Sequence, residues 1–358
     1  RHSSAASDVY KRQEKKLEFL LEALDTNDPF DNAKEMHVDI KNCIEWQQTK
    51  SAKGIMRRRE EITNLIVNKG KEFKDCGQCD RWFESADPAV RHIAREVNGP
   101  LCEFVIKECD YHDQDVAEVF RKGGPLYGDM PSCGIGEVLD EVSSAKDINE
   151  LKLDAERSNA LLESVIKQDE LEDAFHALVL KDAAEGWMSE PIEMSADHFE
   201  ARAVPGHGVQ QGFKKDGSVK VRAVFNFSWS TSLPVDSGKK ISYKAAKDRS
   251  VNGCTWFPEK LSHDHLDNLI QVCREMVLRL KFVPALFKAD IASAFRRIPL
   301  MPEHRWAAGI MYGWKGRIWT SVHNSCPFGA KASVFNWERV GRFLRTVARR
   351  LLHIAVFE

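Results

Sequence analysis

Lys288 to Leu300 reads KADIASAFRRIPL. An apolar run, VPALFKADI, closes on one carboxylate, Asp290, and an aromatic, Phe295, follows five residues later. Carboxylate oxygen is a hard ligand that suits Mg²⁺, and a strand end mounts it rigidly. A strand that merely stops at a turn residue reads the same way, so Asp290 alone leaves both readings open. Downstream, PFGAKAS begins at Pro327 and sets a turn and small residues ahead of a helical pattern; Gly329 is where backbone could approach a flat base. Upstream, KKDGSVKVR offers Lys214, Lys215, Lys220 and Arg222 around a turn. Lys220 and Arg222 stand two apart, on one face of a strand. Such a pair can grip a triphosphate, with arginine supplying bidentate contacts.

The elements that must hold these residues are legible from pattern. Asp216-Gly217 lies between two alternating segments and predicts a β-hairpin, because glycine accepts the positive φ such turns need. WSTSLPVDSGKK reads as loop, and a helix from about His263 to Leu280 precedes the strand expected to end at Asp290. AAGIMYGWKGRIWTSV predicts two strands around a tight turn. After CPFG a helix runs to about Leu352 with Val340, Phe343, Leu344, Val347 and Leu351 on one face, and HIAVF reads as a strand. Residues 14–133 are mostly helical in pattern: Leu17, Leu20, Leu21 and Leu24, then Ile62, Leu65 and Ile66, recur at helical spacing. GPLCEFVIKEC fits a short strand or a buried helix. GGPLYGDMPSCGIG reads as loop, and helix returns from Ser144 to about Gly186. The expectation is an α+β chain with an antiparallel sheet: a helical region over 14–185 and a strand-bearing region over 186–358. The opening SSAASDVYKRQ reads as adaptor-derived or disordered, which sets residues 1–13 outside the fold. LLHIAVFE stops within an apolar run, so both ends read as those of a fragment.

The 358 residues are 43% hydrophobic, ample for packed cores. A net charge of -2 hides an asymmetry. Residues 134–174 hold twelve acidic and four basic side chains, 211–250 nine basic and three acidic, and 331–350 six basic and one acidic. A chain basic only in its second half points to a polyanion there. Nine cysteines without regular spacing read as thiols of an intracellular protein, cytoplasmic or nuclear, rather than a disulfide framework. No apolar run approaches the ~20 residues that span a bilayer, and no secretory signal is visible.

The order KVRAVFNFS, KADIASAFRRIPL, PFGAKAS resembles the fingers hairpin and palm motifs A and B of reverse transcriptases, retroelement enzymes above all. FRKGGPLYGDMP and AAEGWMSEP more loosely resemble segments ahead of the polymerase core in protist retroelement-like proteins. The core likeness covers about 186–358. It implies a right-hand polymerase fold, fingers and part of a palm, in an RNA-directed DNA polymerase. Asp290 would hold two Mg²⁺ ions with the Ile291 carbonyl assisting. Phe295 would sit under the sugar and exclude a 2′-OH, favouring dNTPs. Lys220 and Arg222, and more weakly Lys214, would contact the triphosphate; Phe328, Gly329 and Lys331 would form the turn beside the nascent base pair. The partners implied are a template-primer of RNA or DNA and a dNTP, with no membrane; oligomeric state is not implied. Asn226 stands where many relatives have Asp. The YxDD hairpin that supplies further carboxylates is absent, and one carboxylate does not hold two ions, so the expectation is a chain inactive as it stands.

Rival readings are a domesticated, non-catalytic nucleic-acid-binding protein that keeps the scaffold, and an RNA-templated RNA polymerase, which Phe295 argues against. Cys76, Cys79, Cys109 and His112 have the composition of a zinc site, but His92 and Cys102 compete and the intervening pattern is helical, so zinc is not expected. Arg342, Arg345 and Arg349 share one helix stripe and read as template-phosphate contacts or a solvated face. Trp306, Trp314 and Trp319 read as sheet packing or base stacking. The acidic stretch 144–175 reads as a solvated helical hairpin.

Overall fold

The computed structural model describes residues 35–357 apart from 140–143, 146, 167–169, 195–198, 214–215, 231–248, 262 and 282–283. The helix expected around Leu17–Leu24, the 1–13 segment and Lys214 lie outside the described residues. The chain is α+β. Its helices are α1 Val38–Gln48, α2 Ala52–Asp75, α3 Gln78–Trp82, α4 Pro88–Ala94, α5 Gly99–Glu108, α6 Glu118–Lys122, α7 Asn149–Leu153, α8 Ala155–Val165, α9 Glu172–Ala184, α10 Leu266–Leu280 and α11 Lys331–Arg350. The strands are β1 Gly128–Asp129, β2 Glu137–Val138, β3 Ile192–Glu193, β4 Ala203–Phe213, β5 Val219–Phe225, β6 Thr255–Trp256, β7 Glu259–Lys260, β8 Gly309–Trp314 and β9 Arg317–Val322. GPLCEFVIKEC is thus helix. Asn98 caps it by accepting from the Leu101 amide, and Pro100 falls in its first turn, where a missing N–H costs nothing.

Residues group into two compact units that are discontinuous in sequence, and neither unit ends at 185/186. In the first unit (35–59, 263–288, 348–357), Ile40 and Ile44 of α1 pack with Val272 of α10, flanked by Met36, Met276, Leu280, Ala355 and Phe357. HIAVF is not a strand. Its carbonyls accept from side chains instead: His353 from Gln47 and Arg59, Val356 from Arg349. Arg349 also pairs with Asp264 at 3.4 Å, and Arg350 with Asp39 at 3.1 Å.

The second unit (60–261, 289–347) is built on a five-stranded sheet in the order β3-β9-β8-β4-β5. The β4–β5 hairpin turns at Asp216-Gly217 as expected, with Gly217 at φ 82 and Asp216 accepting from the Ser218 amide. The β8–β9 turn uses Lys315 and Gly316, both at positive φ, the geometry that matches strand twist. One correction concerns direction. The sheet is mixed, not antiparallel: Ala203–Pro205 of β4 run parallel to Gly309–Met311 of β8. The chain between β5 and β8 is long enough to return β8 alongside β4 in the same sense. A second correction is that residues 284–290 form no strand; Leu286 and Phe287 are 70% and 74% exposed. Apolar, β-compatible residues make a strand only when a neighbour takes their backbone groups, and none of the five sheet strands does.

The acidic stretch is not a solvated hairpin either. α8 and α9 lie on the sheet, burying Leu162 against Ala203 and Met311, and Phe175 against Phe225 and Tyr312; most of their charges occupy the outer faces, Asp182 of α9 being the inward exception. The upstream pieces join the same framework. Gly124 exchanges backbone hydrogen bonds with Pro299 and Met301, and the Trp187 carbonyl accepts from Asn324. The Pro131–Gly136 loop closes around Glu259. That carboxylate, 1% exposed, accepts from the Ser132 hydroxyl and from the amides of Cys133, Gly134, Ile135 and Gly136 at 2.7–3.0 Å. Burial opposes its charge, but these donors outweigh burial and hold its pKa below the ordinary value.

A group with a depressed folded pKa contributes stability above its unfolded pKa and loses it as pH falls through the folded one. Glu259→Gln should therefore lower stability near neutrality by about 2 kcal/mol in urea unfolding, and the gap to wild type should close below about pH 4.

Candidate nucleotide groove

Four of the expected site residues converge within the second unit. Arg222 is on the exposed face of β5, opposite Val209 of the hairpin. Its guanidinium lies 5.3 Å from the Phe328 ring centroid, within cation–π reach. Phe328 and Phe295 contact at 5.1 Å between ring centroids. Gly329 follows, and with Phe328, Arg222, Val209, Gln211, Ala223, Val224 and Phe225 it lines an open groove of about 300 Å³.

Gly329 is required where it stands. Its φ is 90°, and a Cβ there would fall 2.1 Å from the Phe225 carbonyl oxygen, so any side chain would push β5 away from the turn. Asn252 pins the same turn: its amide donates to the Gly329 carbonyl at 3.0 Å, and its carbonyl oxygen accepts from the Lys331 amide at 2.8 Å. That oxygen satisfies an N–H the first turn of α11 leaves unpaired.

Behind the groove lies a group the sequence did not single out. Arg296, from the 3₁₀ turn Phe295–Arg297, is 2% exposed. It donates to Asp182 of α9 at 2.6 Å and to His323 Nδ1 at 2.7 Å. Its guanidinium carbon is 5.7 Å from the Phe225 ring and 5.9 Å from the Phe328 ring. Phe328 is thus faced by two cations, one exposed and one buried. Burial, then the neighbouring Arg296, push the His323 pKa well below its ordinary value, so the ring is neutral and Nδ1 can accept. The residue types RR after a phenylalanine carry no signal that one arginine is buried; only the positions of Asp182 and His323 reveal it.

The remaining expected residues stand apart from this cluster. Lys220 is exposed, one strand repeat from Arg222, and Lys331 is exposed at the head of α11. Asp290 and Ile291 are exposed on the irregular stretch before the 3₁₀ turn. Among the described residues no three His, Cys, Asp or Glu side chains are grouped to hold a metal ion. Asp290 alone does not make a two-metal site, and Cys76, Cys79, Cys109 and His112 do not assemble. Asn226 accepts from the Ser228 amide at 3.1 Å, the bond of an Asx turn. Arg342, which is half-buried, and Arg345, which is buried, turn back onto Glu338, 1% exposed, rather than spreading as a solvated or phosphate-facing stripe. Trp314 stacks on His176 at 3.7 Å and meets Trp319 edge-on, while Trp306 donates to the Tyr127 hydroxyl; all three pack within the fold. No helix among the described residues is long and apolar enough to cross a membrane.

Searched against family models, curated proteins and solved structures, the chain matches none.

Asp182→Ala should lower stability by about 3–5 kcal/mol, because it strands a buried guanidinium; chemical unfolding measures it. For His323 the folded pKa is depressed, so stability is full above about pH 6.5 and falls below it, as the unfolded chain takes up a proton the folded one refuses. His323→Gln should remove that part of the acid slope.

Proposed function

We propose that residues 186–358 are the fingers and part of the palm of a retroelement reverse transcriptase, an RNA-directed DNA polymerase that extends a primer 3′-OH with dNTPs. The observation that carries this reading is the convergence of Arg222, Phe328 and Gly329 at one groove, with Phe295 of a third segment packed against Phe328. Each supplies a property a nucleotide needs. Arg222 offers charge-assisted donors for a phosphate, with Lys220 one strand repeat away. Gly329 offers bare backbone for a flat base. Phe295, packed on Phe328, offers bulk where a 2′-OH would project, and this disfavours the RNA-polymerase alternative. Asp290, with the Ile291 carbonyl, is the proposed metal-side ligand, and Mg²⁺ would require carboxylates beyond it.

A second reading, a nucleic-acid-binding protein that keeps the scaffold without catalysis, is favoured by two observations. Asp290 has no grouped companion carboxylates among the described residues, and Asn226 is engaged in its own turn.

Equilibrium titration with dGTP and GTP separates the readings. The polymerase reading expects tighter binding of dGTP than GTP. Arg222→Gln should weaken dGTP about tenfold or more, the size of one charged hydrogen bond. Phe295→Ala should raise GTP affinity toward that of dGTP. Equal affinities in the wild type, or indifference to Arg222→Gln, would sink the nucleotide groove and leave the binding-protein reading ahead. The 358-residue chain should bind without extending a primer.

A further inference from the structure

The described residues of the first unit carry twelve basic and six acidic side chains, a surplus of six positive charges, inside a chain whose total is -2. The densest part is 50–59, where Lys50, Lys53, Arg57, Arg58 and Arg59 occur with no acidic residue. Lys50, Lys53, Arg57 and Arg58 are exposed. Cations at the start of a helix oppose its dipole, and α2 has no acid in its first turn; Glu60 and Glu61 follow Arg57 and Arg58 in the next turn.

Arg59 has a separate task. Its Nε donates to the Leu352 carbonyl at 2.8 Å and its Nη2 to the His353 carbonyl at 2.9 Å. These bonds hold His353 at φ 50°, with its imidazole flat on the Trp46 indole, 4.0 Å between centroids and 11° between planes. Burial, then Arg59 and Arg58, lower the His353 pKa. The half-buried stack is therefore uncharged and flanked by cations. Exposed cations beside a flat π surface are what single-stranded nucleic acid needs, with phosphates taken by charge and a base by stacking. An anionic membrane would call for an apolar ridge between the cations. Met56, 72% exposed, is the one large apolar side chain standing out among residues 50–59.

We propose that this face of the first unit binds single-stranded nucleic acid, with Lys50, Lys53, Arg57 and Arg58 meeting phosphates and the Trp46–His353 stack meeting a base. The proposal stands independently of the nucleotide groove. Fluorescence anisotropy of the full chain with labelled oligouridylate, over about 50–200 mM salt, reads both affinity and its salt slope. The double variant Arg57→Gln/Arg58→Gln should reduce the slope by about 1.4, since each single-strand phosphate contact contributes about 0.7. Trp46→Ala should weaken binding about tenfold at fixed salt, and Trp46→Phe, which keeps a ring for His353, should restore most of it. An unchanged slope in the double variant would overturn the proposal. So would an abasic strand binding as tightly as oligouridylate, which would leave a general polyanion surface. Binding to phosphatidylserine vesicles without binding to the strand would likewise overturn it, in favour of a membrane.

Discussion

Removing the Arg296 guanidinium from water is tolerable only because Asp182 and His323 meet it from two sides, and that requirement ties several segments together. Asp182 comes from α9, His323 from the residue after β9, and Arg296 from the 3₁₀ turn beyond Asp290. The rings it faces come from β5 and from the turn before α11. Displacing any of these segments would leave a charge without a partner in a low-dielectric setting, where the penalty is several kcal/mol. The groove wall is therefore set by a compensated buried charge as much as by apolar packing. Gly329 and Asn252 then fix the turn so tightly to β5 that the wall has little freedom to shift.

What was legible in the sequence follows from how local each signal is. The hairpin at Asp216-Gly217, the turn at Lys315-Gly316 and the helix after CPFG depend on dihedral preference and short-range periodicity, and they stand where expected. Two of the residues set at the groove, Arg222 and Gly329, were also legible, because a strand period and a turn glycine are local facts; Phe328 was singled out only by the resemblance. The misreadings share the opposite character. Residues 284–290 and 353–357 have strand composition, but a strand is defined by the neighbour that accepts its hydrogen bonds. The carbonyls of the latter segment are taken by Gln47, Arg59 and Arg349 instead. The acidic helices α8 and α9 were read from their charge, whereas their buried stripe decided where they went. Arg296 and Glu259 are charges in the core, where composition predicts none; each is held by donors or acceptors far away in sequence.

The structure uses its cations in two physically distinct ways. Arg296, and likewise Arg339 with its bidentate contacts to Asp113 at 2.8 and 2.9 Å, are buried and matched in place. Added salt screens such pairs little. Lys50, Lys53, Arg57 and Arg58 are exposed, so their field reaches solvent and weakens with ionic strength. Formal charge along the chain does not separate the two groups. The stripe Arg342, Arg345, Arg349 carries three positive charges on one helix yet turns onto Glu338 and Asp264. Burial, rather than charge density, decides which cations face solvent.

The two guanidiniums facing Phe328 are unequal for the same reason. Arg222 is exposed, and an anion entering the groove competes with the ring for it, because a charge-assisted hydrogen bond to phosphate exceeds a surface cation–π contact. Arg296 is already committed to Asp182 and His323 and is not drawn away. Phe328 therefore keeps one cation whether or not a ligand has engaged Arg222, and Phe295, which rests on Phe328, keeps its support. A steric filter discriminates only as long as it does not yield. In the proposed groove the residue that would recognise a phosphate and the residue that would stiffen the filter are separate side chains, so tight anion binding would not by itself loosen a selection against a 2′-hydroxyl.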